Sequence, residues 1–126
     1  MKKNFLVLSL AVFCFACSNN QSSADQGDAA KTSITDNPDF EKGMNLVVKS
    51  DCLGCHKTSE KLIGPAYNEI GKKYENTEAN VNLLAEKIQN GGNGVWGTVP
   101  MAKHDGLSKE DAIAMAKYIL LLKDEK

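Results

Sequence analysis

The chain has 126 residues, a formal net charge of −1 and 42% hydrophobic residues, which suits one small globular domain. All of its side-chain cations other than histidine are lysines, and after Cys17 thirteen of them stand against sixteen acids. The chain after Cys17 therefore lies near −3, which excludes a nucleic-acid binder, whose footprint is a basic excess, and gives no strong steering charge.

Lys2 and Lys3 precede an apolar run from Phe5 to Ala16. A charged start and about a dozen apolar residues predict a secretory signal, because a bilayer span takes about 20. The run ends at Ala16-Cys17, similar to a bacterial lipoprotein cleavage box in which Cys17 becomes the lipidated first residue. Cys14 stands where Leu is usual, and cleavage after Ala24 is the alternative. One acyl chain anchors only marginally, but a lipoprotein cysteine carries two or three. Residues 18–37 contain no aromatic and only Ile34 as a large aliphatic, too little apolar area to offset the entropy of ordering. The expected organisation is a signal peptide over 1–16, a flexible tether over 17–37 and a folded domain over 38–126. A tether of that length spans about 25 Å on average.

Asp36-Asn37-Pro38 predicts a helix start, with Pro in the first turn; Phe40, Met44 and Val47 share its face, with Leu46 beside it, and it should run to about Ser50. Next comes Cys52-Leu53-Gly54-Cys55-His56. C-x-x-C-H is the attachment signature of a c-type haem: Cys52 and Cys55 form thioethers with the two vinyl groups, and His56 presents its imidazole to the iron. The competing readings are a zinc half-site and a reversible disulfide. Zinc needs four ligands, and after the signal only Cys17 and His104 remain to complete the set. A thioredoxin-like dithiol belongs beside a βαβ pattern, and no segment shows convincing strand alternation.

A short helix is expected after Pro65, with Tyr67 and Ile70 inward. Another is expected over about Thr77 to Asn90, with Val81, Leu84, Ala85 and Ile88 as its stripe and Gly91 as its stop. The Gly-rich loop that follows contains Val99-Pro100-Met101. Met44 and Met115 read as core, whereas Met101, after a proline and between two helices, reads as the second axial ligand. His/Met ligation raises a haem potential and leaves no open position for substrate. Ser108 caps the last helix, with Asp111 three residues on, and Ala112, Met115, Ala116, Ile119 and Leu122 form its face.

Three motifs in order, Cys52–His56, Ile63-Gly64-Pro65-Ala66-Tyr67 and Asn90-Gly91 through Gly94-Val95-Trp96-Gly97-Thr98-Val99-Pro100-Met101, make residues from about Asp39 to Lys123 resemble a small bacterial class I monohaem cytochrome c of the c-551 type. The resemblance implies an all-α fold of about four helices wrapped around one covalent haem c. It implies that the first and last helices cross near Leu46, Val47 and Tyr118, with Gly43 able to permit close approach. It further implies that the Pro65 carbonyl accepts from the His56 ring and that Trp96 lies against a haem propionate. Four helices make a thin core, so the apo chain is expected to fold poorly.

The function expected is electron transfer, not enzymatic turnover. The partners would be redox proteins, a quinol-oxidising complex as donor and a terminal oxidase or reductase as acceptor, reached by an exported monomer held at a bacterial membrane through its lipid. The alternative is a haem-based sensor or gas-binding module with a labile distal Met101. His104 is read as a solvent-exposed loop histidine, and the sharper possibility is that it displaces Met101 from the iron.

Overall fold

A computed structural model describes residues 33–126. The signal segment, Cys17 and the tether as far as residue 32 lie outside the described residues.

Asn37 begins helix α1 (Pro38–Lys49): its side chain accepts the Asp39 N–H at 2.9 Å, and Pro38 occupies the first turn, where no backbone donor is needed. Just upstream, Ile34–Asp36 forms one 3₁₀ turn, and Ile34 packs against the core. Ile34, the one large aliphatic of the expected tether, thus has part of its apolar surface buried.

Helix α2 (Tyr67–Lys73) is short. Helix α3 (Glu78–Asn90) starts with the Thr77 hydroxyl accepting the Asn80 N–H at 3.3 Å, and it stops at Gly91. Gly91 has φ +69°, and a Cβ there would strike the Met101 carbonyl oxygen, so the stop requires glycine for both conformation and space. Helix α4 (Lys109–Leu121) begins with the Ser108 hydroxyl accepting the Asp111 N–H at 3.1 Å. All four helices lie where the periodicity and caps put them. Among the described residues the extended pairing is a single antiparallel bridge, Gly92 to Met101.

Helix α4 is the centre of the domain. It packs against α1, α2 and α3, and a helix with neighbours on several sides is buried almost all round. Ala112, Met115, Ala116, Ile119 and Leu122 are buried as the stripe requires, and Ala114, Tyr118 and Leu120 are buried as well. Helix α1 crosses α4 at Gly43, where an added Cβ would run into Tyr118 Cβ and the Ala114 carbonyl. Phe40 meets the Tyr118 ring edge-on, with centroids 5.2 Å apart. Lys117 Nζ donates to both carboxylate oxygens of Asp39 at 3.2 Å across the same crossing. That pair is part-exposed and contributes at most about 1 kcal/mol. The chain end folds back on α2: Asn68 Nδ2 donates to the Glu125 carbonyl at 2.8 Å.

Burial, with a smaller contribution from Glu125, raises the Tyr118 hydroxyl above its usual value of 10. The unfolded chain releases this proton near pH 10 while the folded chain keeps it. The stability it contributes is therefore complete below about pH 10 and is lost as pH rises through the folded value, with a slope of at most about 1.4 kcal/mol per pH unit. Tyr118→Phe, which keeps the ring against Phe40, is expected to flatten the alkaline limb of a denaturation-midpoint-against-pH curve. An unchanged limb would count against this assignment.

Candidate functional site

Helix α1 ends with the Ser50 N–H on the Leu46 carbonyl, and the chain then reverses at Asp51, whose φ of 57° is the one positive value among described non-glycine residues. Aspartate is among the few residues that adopt this conformation readily. Cys52–Gly54 follows as a 3₁₀ turn, with Cys55 and His56 N–H groups both donating to the Cys52 carbonyl at 3.2 and 3.0 Å. The tight winding brings both thiols and the imidazole to one end of a cavity. Cys55 is exposed, Cys52 half-buried, and neither is in a disulfide. Burial pushes the Cys52 thiol up, against a lowering by its backbone hydrogen bonding, and the Asp51 carboxylate adds to the rise.

His56 is buried, 9% exposed. Its Nδ1–H donates to the Pro65 carbonyl at 2.7 Å, so Nε2 keeps its lone pair, the arrangement that fixes a metal-binding imidazole. The acceptor is held in place by its own loop. Gly64 N–H donates to the Cys55 carbonyl at 2.9 Å, and Tyr67 and Asn68 N–H groups donate to the Lys57 and Thr58 carbonyls at 2.9 Å. Two contacts on the ring have no counterpart in the sequence reading. Tyr67 stacks on it, centroids 5.4 Å apart and planes at 12°. Gly64 lies against its edge so closely that a Cβ would collide with Cε1, Nδ1 and Nε2. Periodicity places Tyr67 inward and the motif includes Gly64, but neither contact follows from spacing along the chain. Burial pushes the Tyr67 hydroxyl well above the usual tyrosine range, and Cys52 beside it adds to the effect. Because Gly64 is hydrogen-bonded at both N–H and C=O, it cannot retreat freely. Gly64→Ala is expected to lower stability by about 1–3 kcal/mol, read as a fall in denaturation midpoint; a midpoint equal to wild type would show that the ring gives way at no cost.

The cavity measures about 560 Å³, in the usual range for a cofactor site. Cys52, Cys55, His56, Pro65, Trp96 and Met101 all line it, with an apolar floor that includes Ile70, Leu84, Met115 and Ile119. Met101 comes from the loop between α3 and α4. Its backbone is fixed by paired hydrogen bonds to Gly92, N–H to carbonyl at 2.8 Å and carbonyl to N–H at 3.2 Å. Trp96 lies at the tip of a turn closed by Gly94 N–H on the Gly97 carbonyl at 2.8 Å. It is 39% exposed, and the Lys73 ammonium sits 5.5 Å from its ring centroid. His104 differs from the solvent-exposed reading: it is half-buried and lines the cavity, and its buried Nδ1 has no hydrogen-bond partner among the described residues. The loop curls inward there because its backbone is tied to α3, which sequence spacing does not reveal.

Two thiols on the rim, an oriented imidazole, and a thioether in a loop whose Gly91, Gly92, Gly94 and Gly97 also line the cavity together fit a covalently held haem. Among the described residues no three His, Cys, Asp or Glu side chains are grouped to hold a metal ion. Nor, among the described residues, is any helix long and apolar enough to cross a membrane.

Residues 40–123 match the family described as Cytochrome c. The chain is 40% identical over 79 residues to cytochrome c-552 of Nitrosomonas europaea, covering 63% of this chain and 77% of that one. It is 36% identical over 75 residues to cytochrome c-551 of Pseudomonas aeruginosa, covering 60% and 71%. The crystal structure of the Nitrosomonas europaea cytochrome c552 superposes with a TM-score of 0.59 at 39% identity, covering 63% of this chain and 98% of that one.

Proposed function

Since the chain belongs to the cytochrome c family and is an electron carrier with one covalent c-type haem, we propose that it works as a His56/Met101-ligated shuttle between membrane-associated redox proteins. The observation that carries the ligand assignment is the Pro65 carbonyl on His56 Nδ1 at 2.7 Å, which leaves Nε2 as the ligating atom of a cavity that Met101 also lines.

When bound, the haem supplies a one-electron couple. The residues around it do the remaining tasks. Cys52 and Cys55 hold the porphyrin by thioether bonds, so the cofactor cannot dissociate. Pro65, Gly64 and Tyr67 fix the orientation of the His56 ring. Met101 would offer the iron a weak, soft thioether donor that favours the reduced metal, and a metal so held would have no place for a substrate to turn over. Ile70, Leu84, Met115 and Ile119 exclude water from the floor. Trp96, at the rim, would offer its indole N–H to a propionate.

Electrons enter and leave at the rim that carries Cys55. Ile63, 56% exposed, and Val99, 62% exposed, line the same cavity as Cys55, and such apolar surface allows another protein to approach without stripping water from fixed charges. The donor is a quinol-oxidising complex and the acceptor a terminal oxidase or reductase. The protein acts as a monomer, exported and tethered through a lipid on Cys17.

The test is a pyridine haemochrome assay, a near-infrared search for the methionine–iron charge-transfer band, and mass measurement of the mature N-terminus. One covalent haem, a band in the oxidised form and a diacylated or triacylated Cys17 are expected. Colourless protein from a host competent to mature such centres removes the cofactor assignment. A missing band together with ready CO binding to the ferrous form favours a sensor, and a mature chain beginning at Asp25 removes the anchor.

A further inference from the structure

We infer that Gln89 is a positioning residue that latches the Met101 loop onto the end of α3 and thereby sets how readily Met101 leaves the iron. The inference rests on the His56/Met101 reading above.

The last carbonyls of a helix lack partners within it. Near the end of α3, the Gln89 carbonyl accepts the His104 N–H at 2.9 Å. The same residue uses its side chain: Nε2 donates to the Leu107 carbonyl at 3.0 Å. Between these points the Leu107 N–H donates to the His104 carbonyl at 3.1 Å and closes the turn. Leu107 itself packs against the core. One glutamine thus grips both ends of the His104–Leu107 turn, with its backbone at one end and its amide at the other.

Upstream, Met101 is tied to Gly92 through both its N–H and its carbonyl. The loop carrying the ligand is therefore stapled to the α3 terminus on both sides of Met101–His104. A ligand entering the iron from this side must displace the Met101 thioether, and the loop can swing away only if a staple opens. The Gly92 staple is pure backbone. The Gln89 side-chain bond is the part of the attachment that a substitution can remove while the helix stays intact, since Gln, Ala, Glu and Lys are all good helix formers.

The donor chemistry makes the inference separable from general stability. Gln89→Ala removes the bond to Leu107. Gln89→Glu places an acceptor-only carboxylate against a carbonyl oxygen. Gln89→Lys keeps a donor of sufficient reach. As a control, Asp39→Ala breaks the Asp39–Lys117 pair at the α1–α4 crossing, which costs stability without touching the loop.

The experiment titrates imidazole into the oxidised, haem-loaded full chain, following displacement of the methionine–iron band, with thermal denaturation run alongside. Gln89→Ala should bind imidazole about fivefold more tightly than wild type, the equilibrium effect of one net hydrogen bond. Gln89→Glu should bind more tightly still, Gln89→Lys close to wild type, and Asp39→Ala as wild type despite its lower midpoint. A band in wild type together with wild-type imidazole affinity in both Gln89→Ala and Gln89→Glu overturns the latch alone. Tightening in Asp39→Ala equal to that in Gln89→Ala overturns it too, because the effect would then follow general stability. A wild type without the band overturns the ligand assignment and, with it, the latch.

Discussion

The Cys52→Ala/Cys55→Ala double variant, expressed and exported as wild type, is expected to yield a chain that neither retains haem through denaturation nor unfolds cooperatively. The floor of the cavity is built from Ile70, Leu84, Met115 and Ile119, and Met115 and Ile119 belong to the same α4 that organises the rest of the core. An emptied cavity of about 560 Å³ at about 24 cal/mol per Å³ corresponds to about 13 kcal/mol. That is an upper bound, since the mouth is open to water and the walls can relax. Even half of it is comparable with the 5–15 kcal/mol that stabilises an ordinary domain. Partial collapse would recover some contact. Far-UV circular dichroism during heating and haem staining of a denaturing gel provide the readout. A sharp transition close to the haem-loaded protein's midpoint would show that the four helices form a self-sufficient core.

Met101→Ala has the second large effect, and it falls on the redox chemistry. The thioether stabilises the reduced metal, and axial ligands move haem potentials over a range of about 0.8 V, so loss of one is expected to lower the midpoint potential by about 0.2 V. The methionine–iron band should vanish, and the opened position should take up CO in the ferrous form. The backbone at position 101 is held by its bonds to Gly92, so the loop should stay in register and the covalent haem should remain. His104 sets up a check within this experiment. Its ring lines the same cavity and its Nδ1 has no partner among the described residues. If the single variant is six-coordinate without added ligand while Met101→Ala/His104→Ala binds CO readily, the histidine has taken the vacated place. A potential unchanged from wild type in Met101→Ala would remove Met101 from the iron altogether.

Much of this site could be read along the chain because its chemistry is written in short, contiguous runs. Cys52, Cys55 and His56 stand within five residues, and the caps at Asn37, Thr77 and Ser108 act on backbone groups two or three positions away. Periodicity identified the buried face of α3 through Val81, Ala85 and Ile88. It identified only part of α4, because a helix with neighbours on several sides has no outward face for the pattern to mark. Tyr118 and Leu120 are buried for that reason.

What the sequence determined by itself is the set of groups available and the local geometry that presents them: two thiols and an imidazole on one tight turn, a thioether in a glycine-rich loop, and helices with defined ends. The tertiary structure alone decided what those groups touch. Gly64 and Tyr67 confine the His56 ring, Lys73 covers Trp96, and Gln89 holds the turn from His104 to Leu107. The physical reason is range. Covalent spacing and capping act within one turn of chain, whereas packing and cross-chain hydrogen bonds join residues whose proximity depends on where every intervening segment has been placed.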